Sequence, residues 1–229
     1  MGINLKTKEP ETLSVVQTKI FDIFKIIKEL LDNDKIPYYL LGGSLLGAIR
    51  HKGFIPWDDD IDIGIPRNQY DAFLKNVASK LPEHLKLRTY QDESTHHFYF
   101  ARIVDTRYIM CRQGSIEIRD ENIWVDIFPL DGMPNNFIVR RIHMLKLLWT
   151  RFIYHAACFN KLNLKRPNRP LSERIAIKFL QITGYKKNAD YKAILDKLNN
   201  LLIKYPLEKS KGVSTKYDKL ETVSNLKVT

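Results

Sequence analysis

The segment Asp58-Asp59-Asp60-Ile61-Asp62-Ile63-Gly64-Ile65 constrains the fold more than any other in this chain. From Ile61 onward, apolar residues alternate with acidic or small ones, the pattern of a strand with one face in a core. Side chains two apart on a strand share a face. Asp60 and Asp62 are therefore expected to project together, with Ile61, Ile63 and Ile65 packed on the opposite side. Adjacent carboxylates repel unless a cation lies between them, and oxygen ligands of this charge suit Mg²⁺ or Mn²⁺. The plainer alternative is a solvated acidic loop, or a cap for the segment after Pro66. The β-branched strand that follows argues against it. A calcium loop of EF-hand type needs acids at alternate positions, then Gly, then a distant Glu, and does not fit.

Upstream, Tyr38-Tyr39-Leu40-Leu41 reads as a short buried strand broken by Gly42-Gly43, and Ser44 to Arg50 reads as a short helix. A strand, a glycine turn and a helix start leave backbone N–H groups free to receive a phosphate. Ser44 is expected at the helix N-cap, adding a hydroxyl. Gly42, Gly43 and Ser44 are thus candidate phosphate-binding residues. Taken alone they describe any strand-to-helix turn, and no Gly-Lys-Ser/Thr follows to make a Walker A loop. A third acid is found in Ile123-Trp124-Val125-Asp126-Ile127-Phe128-Pro129, where Trp124, Asp126 and Phe128 fall on one face of a strand. A single Asp in so apolar a strand needs a partner or a metal. Asp131, in the turn that follows, reads as structural.

The string Gly42-Gly43-Ser44-Leu45-Leu46-Gly47-Ala48-Ile49-Arg50-His51-Lys52-Gly53-Phe54-Ile55-Pro56-Trp57-Asp58-Asp59-Asp60-Ile61-Asp62 resembles the signature of the LicD family, which includes bacterial phosphocholine transferases and the animal fukutin-related proteins. Val125-Asp126-Ile127-Phe128-Pro129-Leu130-Asp131 resembles its second signature, and the similarity covers roughly residues 10 to 135. The aromatic and glycine-rich segment with which the family usually closes is not found. The resemblance implies an α+β, nucleotidyltransferase-like fold: a mixed sheet flanked by helices, here with a helical, basic C-terminal extension. It implies that Gly43 and Ser44 hold phosphate and that Asp60, Asp62 and Asp126 hold metal. It further implies transfer of phosphocholine, or a related phospho-alcohol such as ribitol or glycerol phosphate, from a CDP-linked donor. The acceptor would be a hydroxyl of a cell-surface glycan, such as lipopolysaccharide, teichoic acid or a lipid-linked precursor, and CMP would leave.

Charge divides the chain. Residues 1–136 hold 17 Lys+Arg against 20 Asp+Glu, and residues 137–229 hold 20 against 6, giving −3 and +14 within the overall +11. Residues 1–136 are read as the catalytic core and 137–229 as a helical, basic part packed on it. The basic part points to an anionic partner: phosphates, a phosphorylated glycan, or the inner face of a membrane. A Lys-rich solvated surface is the competing account. No stretch is apolar enough to span a bilayer, no secretory pattern opens the chain, and Cys111 and Cys158 lack metal or redox spacing, so a cytoplasmic protein is expected.

Helices are expected over 11–34, 68–81, 137–159, 171–183 and 190–205. Strands are expected over 98–104 and 108–112, joined as a hairpin through Asp105-Thr106-Arg107. Lys165 to Pro170 reads as a basic linker, and the chain closes in a polar tail from Lys216. Arg50, Lys52 and Arg102 could neutralise phosphate, but singly each reads more readily as a surface charge, and His96-His97 reads as a loop or strand edge. Trp57 reads equally as a stacking platform or as core. Three other functions compete. One is a metal-dependent glycosyltransferase using a nucleotide sugar, which leaves the Gly-Gly-Ser turn without support. Another is a catalytically inactive relative that binds an anionic partner. A nucleic-acid module leaves the aspartates unexplained, and no nucleic acid is expected as a partner.

Overall fold

The computed structural model describes residues 13–92, 96–112, 119–159, 169–186, 189–216 and 219–222. Helix α1 (Val15–Asn33) opens on a capping box, in which Ser14 and Gln17 exchange side-chain-to-backbone hydrogen bonds. Strand β1 (Tyr39–Leu40), helix α2 (Gly42–His51), strand β2 (Asp62–Pro66) and helix α3 (Arg67–Lys80) follow. Strands β3 (Leu85–Arg88), β4 (Ala101–Arg112) and β5 (Arg119–Gly132) complete the central sheet, ordered β1-β2-β5-β4-β3. Only β2 and β5 run parallel; the remaining neighbours are antiparallel. The architecture is a mixed sheet flanked by helices.

Alternation along the strands decides which side chain goes where. Ile63 and Ile65 of β2, Ile103 of β4, and Val125 and Ile127 of β5 share one face, covered by Ile20, Ile23 and Ile27 of α1 and by Tyr70, Phe73 and Val77 of α3. The Tyr70 hydroxyl accepts the Ala101 N–H (2.9 Å) and donates to the Ile127 carbonyl (3.2 Å), pinning α3 across the β4–β5 seam. Arg67 makes a two-pronged ion pair with Asp131 at 2.7 and 2.8 Å, so Asp131, 2 % exposed, is held by a fixed partner. On the other face, Phe128, Leu130 and Leu41 meet Val213.

The hairpin expected at Asp105 to Arg107 does not form. β4 runs straight through with a bulge between Asp105 and Ile109, and its hairpin partner is β5. Asp105 binds both the backbone N–H and the guanidinium of Arg107, which stabilises the bulge and removes the need for a reversal. Strand β3 was not anticipated; its Lys86 and Arg88 obscure a short edge strand.

C-terminal to the sheet lie α4 (Phe137–Ala157), α5 (Leu171–Thr183) and α6 (Tyr191–Leu202). Leu147 of α4 and Leu195, Leu198 and Leu202 of α6 pack with Tyr90 and Met133. Strand β6 (Gly212–Lys216) pairs with the end of β5 and with β7 (Lys219–Thr222), so part of the expected polar tail is sheet. The expected basic linker lies outside the described residues, apart from Arg169 and Pro170.

His155 on α4 accepts a hydrogen bond from Arg151 Nε at 3.3 Å. Burial, and then the Arg151 and Arg169 charges, push its pKa from 6.5 down to about 4. The unfolded chain therefore binds a proton between these values that the folded chain refuses. This contribution to stability is complete above about pH 6.5 and lost as pH falls toward 4. Thermal midpoints followed downward from neutral pH should fall more steeply for the wild type than for His155→Gln. Parallel curves would refute the assignment.

Candidate active site at the β2–β5 seam

Parallel pairing places Asp62 of β2 directly across from Asp126 of β5. The Asp126 N–H donates to the Ile61 carbonyl at 2.9 Å, fixing this register. Asp60, two residues before Asp62, projects to the same side. One oxygen from each of Asp60, Asp62 and Asp126 lies within 4.8 Å of the other two. Asp62 and Asp126 are buried, and Asp60 is partly exposed. Like charges at this distance repel by about 3 kcal/mol per pair at an effective dielectric of 20. Three convergent carboxylates open on one side fit a divalent ion with oxygen ligands.

Ser44 joins them by a route different from the expected one. Helix α2 starts at Gly42, with Leu41 as its N-cap. The Leu41 N–H is tied to the Asp62 carbonyl (3.0 Å), so the strand conformation persists to the last residue before the helix. Gly42 then makes the turn by itself at φ 52°, a region glycine enters without a Cβ penalty. Ser44 consequently falls inside the first helical turn, where its Oγ accepts the Asp62 N–H at 2.9 Å and keeps its own proton to donate. Gly43 also lies in that turn, and a Cβ on it would collide with the Asp58 carboxylate. The structure therefore brings Gly42, Gly43 and Ser44 to the same corner as the acids. The helix N-terminus has no side-chain cap from its N-cap residue, which favours anion binding.

Arg102 is neither a surface charge nor a free cation awaiting phosphate. It sits on β4 opposite Asp126, 9 % exposed, and its Nε–H donates to Asp126 at 2.6 Å. Its guanidinium lies over the rings of Phe98 (4.1 Å) and Trp124 (4.3 Å). This stacked pairing offsets one charge of the cluster and fixes the Asp126 carboxylate. The signal in the sequence was the alternation Phe98, Phe100, Arg102, which puts the arginine on an aromatic face. His96 and His97 are in the preceding loop but buried, with the His96 ring nitrogen 2.7 Å from the Phe100 carbonyl. Trp57 is 83 % exposed, which removes the core reading.

The loop between α2 and β2 is held from below. Gln17 of α1, itself buried, donates from Nε2 to the carbonyls of Ile55 (3.1 Å) and Asp58 (2.9 Å). A cleft of about 1190 Å³ opens beside it, lined by Ser44, Arg50, Lys52, Trp57 and Asp58 among others. Gln17→Ala removes both clamps and the side-chain half of the capping box, and should lower unfolding free energy by about 2 kcal/mol. Urea denaturation measures it, and a change below a few tenths would show that the loop holds itself.

Comparison with known proteins identifies the family. The family model described as LicD/FKTN/FKRP, nucleotidyltransferase domain, matches residues 35–172. The lipopolysaccharide cholinephosphotransferase LicD of Haemophilus influenzae is 32 % identical over 211 residues, covering 86 % of this chain and 70 % of that protein. An uncharacterized protein of Rickettsia prowazekii is 38 % identical over 144 residues, 59 % of this chain and 48 % of its own length. The ribitol 5-phosphate transferase FKRP of Mus musculus is 56 % identical over 36 residues, 16 % of this chain and 7 % of that protein. A domain match over more than half the chain and a relative aligned over most of it lead to one conclusion: the chain belongs to the LicD family and is an enzyme of the phosphotransferase type.

Proposed function

We propose that this enzyme transfers phosphocholine from CDP-choline to a hydroxyl of a cell-surface glycan or its lipid-linked precursor, releasing CMP. The observation that carries the reading is the convergence of Asp60, Asp62 and Asp126 beside Ser44. Choline is preferred to ribitol as head group because the similarity to the cholinephosphotransferase runs through most of the chain, whereas that to the ribitol phosphate transferase spans 36 residues.

Asp60, Asp62 and Asp126 would hold Mg²⁺ or Mn²⁺, which supplies neutralisation of the donor diphosphate and of the departing CMP. The chain's own groups do the remainder. The N–H groups at Gly42 and Gly43 and the Ser44 hydroxyl bind phosphate oxygens and orient the diphosphate. Arg102 keeps the Asp126 carboxylate in place. The acceptor oxygen attacks the phosphorus nearer choline, the bond from that phosphorus to the CMP oxygen breaks, and the hydroxyl proton passes to one of the three carboxylates. Trp57, exposed beside Asp58, is positioned to stack on a base or against a quaternary ammonium. The compartment proposed is the cytoplasm, where a lipid-linked acceptor would be met at the inner face of the membrane.

The test is release of CMP from CDP-choline, CDP-ribitol and CDP-glycerol with Mg²⁺ or Mn²⁺, each with and without glycan acceptors. Metal-dependent release from CDP-choline alone is the expected result. Release from a different CDP compound would move the head group. Turnover of a nucleotide sugar in place of all three would replace this reading with a glycosyltransferase.

A further inference from the structure

Helix α4 has two apolar sides, and among the described residues only one is buried. Leu147, His143 and Thr150 are buried toward the rest of the protein, and Leu147 packs with α6. On the reverse, Ile138, Ile142, Leu145 and Trp149 recur at helical spacing and are 49–67 % exposed. Helix α5 repeats the arrangement more openly: Leu180 is its buried residue, while Leu171, Ile175 and Ile182 are 62–76 % exposed. A surface helix of a self-contained domain normally turns polar residues outward, and contiguous exposed apolar side chains mark a contact surface.

We infer that the outward faces of α4 and α5 form a docking surface for an anionic phospholipid bilayer. Charge selects this occupant. α4 carries Arg140, Arg141, Lys146 and Arg151 and no acid, and α5 carries Arg174 and Lys178 against Glu173, which is paired with Arg169 at 3.2 Å. At 100° per residue, Arg141 and Lys146 fall on opposite flanks of the α4 apolar stripe, the placement that lets long basic side chains reach phosphates while the stripe enters the acyl boundary. A second copy of this chain would bring the same basic flanks against each other. A nucleic acid has no use for an Ile/Leu stripe. Crossing the bilayer is not involved, since among the described residues no helix is long and apolar enough for it. The inference stands apart from the transfer reaction, because it concerns binding and can be measured without donor or acceptor.

The inward side of α4 also reaches toward the acids. The Tyr154 hydroxyl donates to the His97 carbonyl, one residue before the Phe98 that stacks on Arg102. The surface offered to lipid therefore backs the helix that touches the active-site loop.

The experiment is co-sedimentation of the full chain with vesicles of phosphatidylcholine alone and of phosphatidylcholine mixed with phosphatidylglycerol, at low and high salt. Binding to the mixed vesicles, weakened by salt, is expected, and the paired variants Leu145→Glu/Trp149→Glu and Arg141→Glu/Lys146→Glu should each bind about tenfold less. Thermal midpoints verify folding, and Leu145→Ser/Trp149→Ser serves should the glutamate pair misfold. Absence of binding to either vesicle overturns the inference. So does loss of binding on charge reversal alone, which would mean adsorption by general basicity. A wild-type dimer that the apolar variants dissociate, without vesicle binding, would assign the face to a second copy and likewise overturn it.

Discussion

Asp62→Asn should lower transfer on the order of 10³-fold while leaving the fold intact. The side chain keeps its size and the backbone N–H keeps its bond to Ser44, so the β2–β5 seam is undisturbed. What disappears is one charge of the three proposed to hold the cation. Losing about 4 kcal/mol of transition-state stabilisation lowers the rate on the order of 10³-fold. Asp60→Asn should behave likewise, whereas Asp126→Asn should lose stability as well as activity, because the buried Arg102 loses the carboxylate it pairs with at 2.6 Å. In activity the double variants should lose little more than the singles, as expected of one ligand set. Single-turnover CMP release reads the rate, and Mn²⁺ titration of the same preparations reads the site. Turnover within tenfold of wild type, or unchanged Mn²⁺ affinity, would remove Asp62 from the reaction.

The largest effect on stability is expected at Asp131. Its carboxylate is 2 % exposed and takes both prongs of Arg67. Arg67→Met leaves that charge buried without its counter-ion, which costs about 3–5 kcal/mol. Arg67→Met/Asp131→Leu removes both charges and should recover much of the loss, because the pair as a whole contributes far less than either orphan costs. Urea denaturation of the single and double variants measures the coupling. A single variant that loses less than about 1 kcal/mol would mean that Asp131 is hydrated or otherwise satisfied.

Local periodicity made much of this structure readable in advance. The β2 alternation predicts both the buried isoleucines and the paired aspartates, and β5 reads the same way from Val125 to Phe128. Helix α5 has its expected bounds, and α3 and α4 lie within two residues of theirs. The misreadings have nonlocal causes. Whether Asp105-Thr106-Arg107 reverses the chain or bulges it depends on which strand lies alongside. β6 and β7 carry too little apolar pattern to announce themselves; β6 is a strand through pairing with β5, and β7 through pairing with β6. Arg102 looked like an ordinary surface cation because nothing near it in sequence states that Asp126 is its neighbour across the sheet. The chain turns at Gly42 as its sequence suggests, but α2 begins there and not at Ser44, because the bond from the Leu41 N–H to Asp62 cannot be foreseen from composition.

The parallel seam joins two properties that proteins usually keep on separate segments. Inserting one residue between Ile123 and Asp126 would turn Val125 or Ile127 out of the interior and swing Asp126 away from Asp62 in the same event. Length changes there are forbidden twice over, whereas point replacement of an aspartate should silence the proposed chemistry and leave the strand register in place. Descendants that abandon catalysis should therefore differ from active ones by substitutions along this strand, never by gaps.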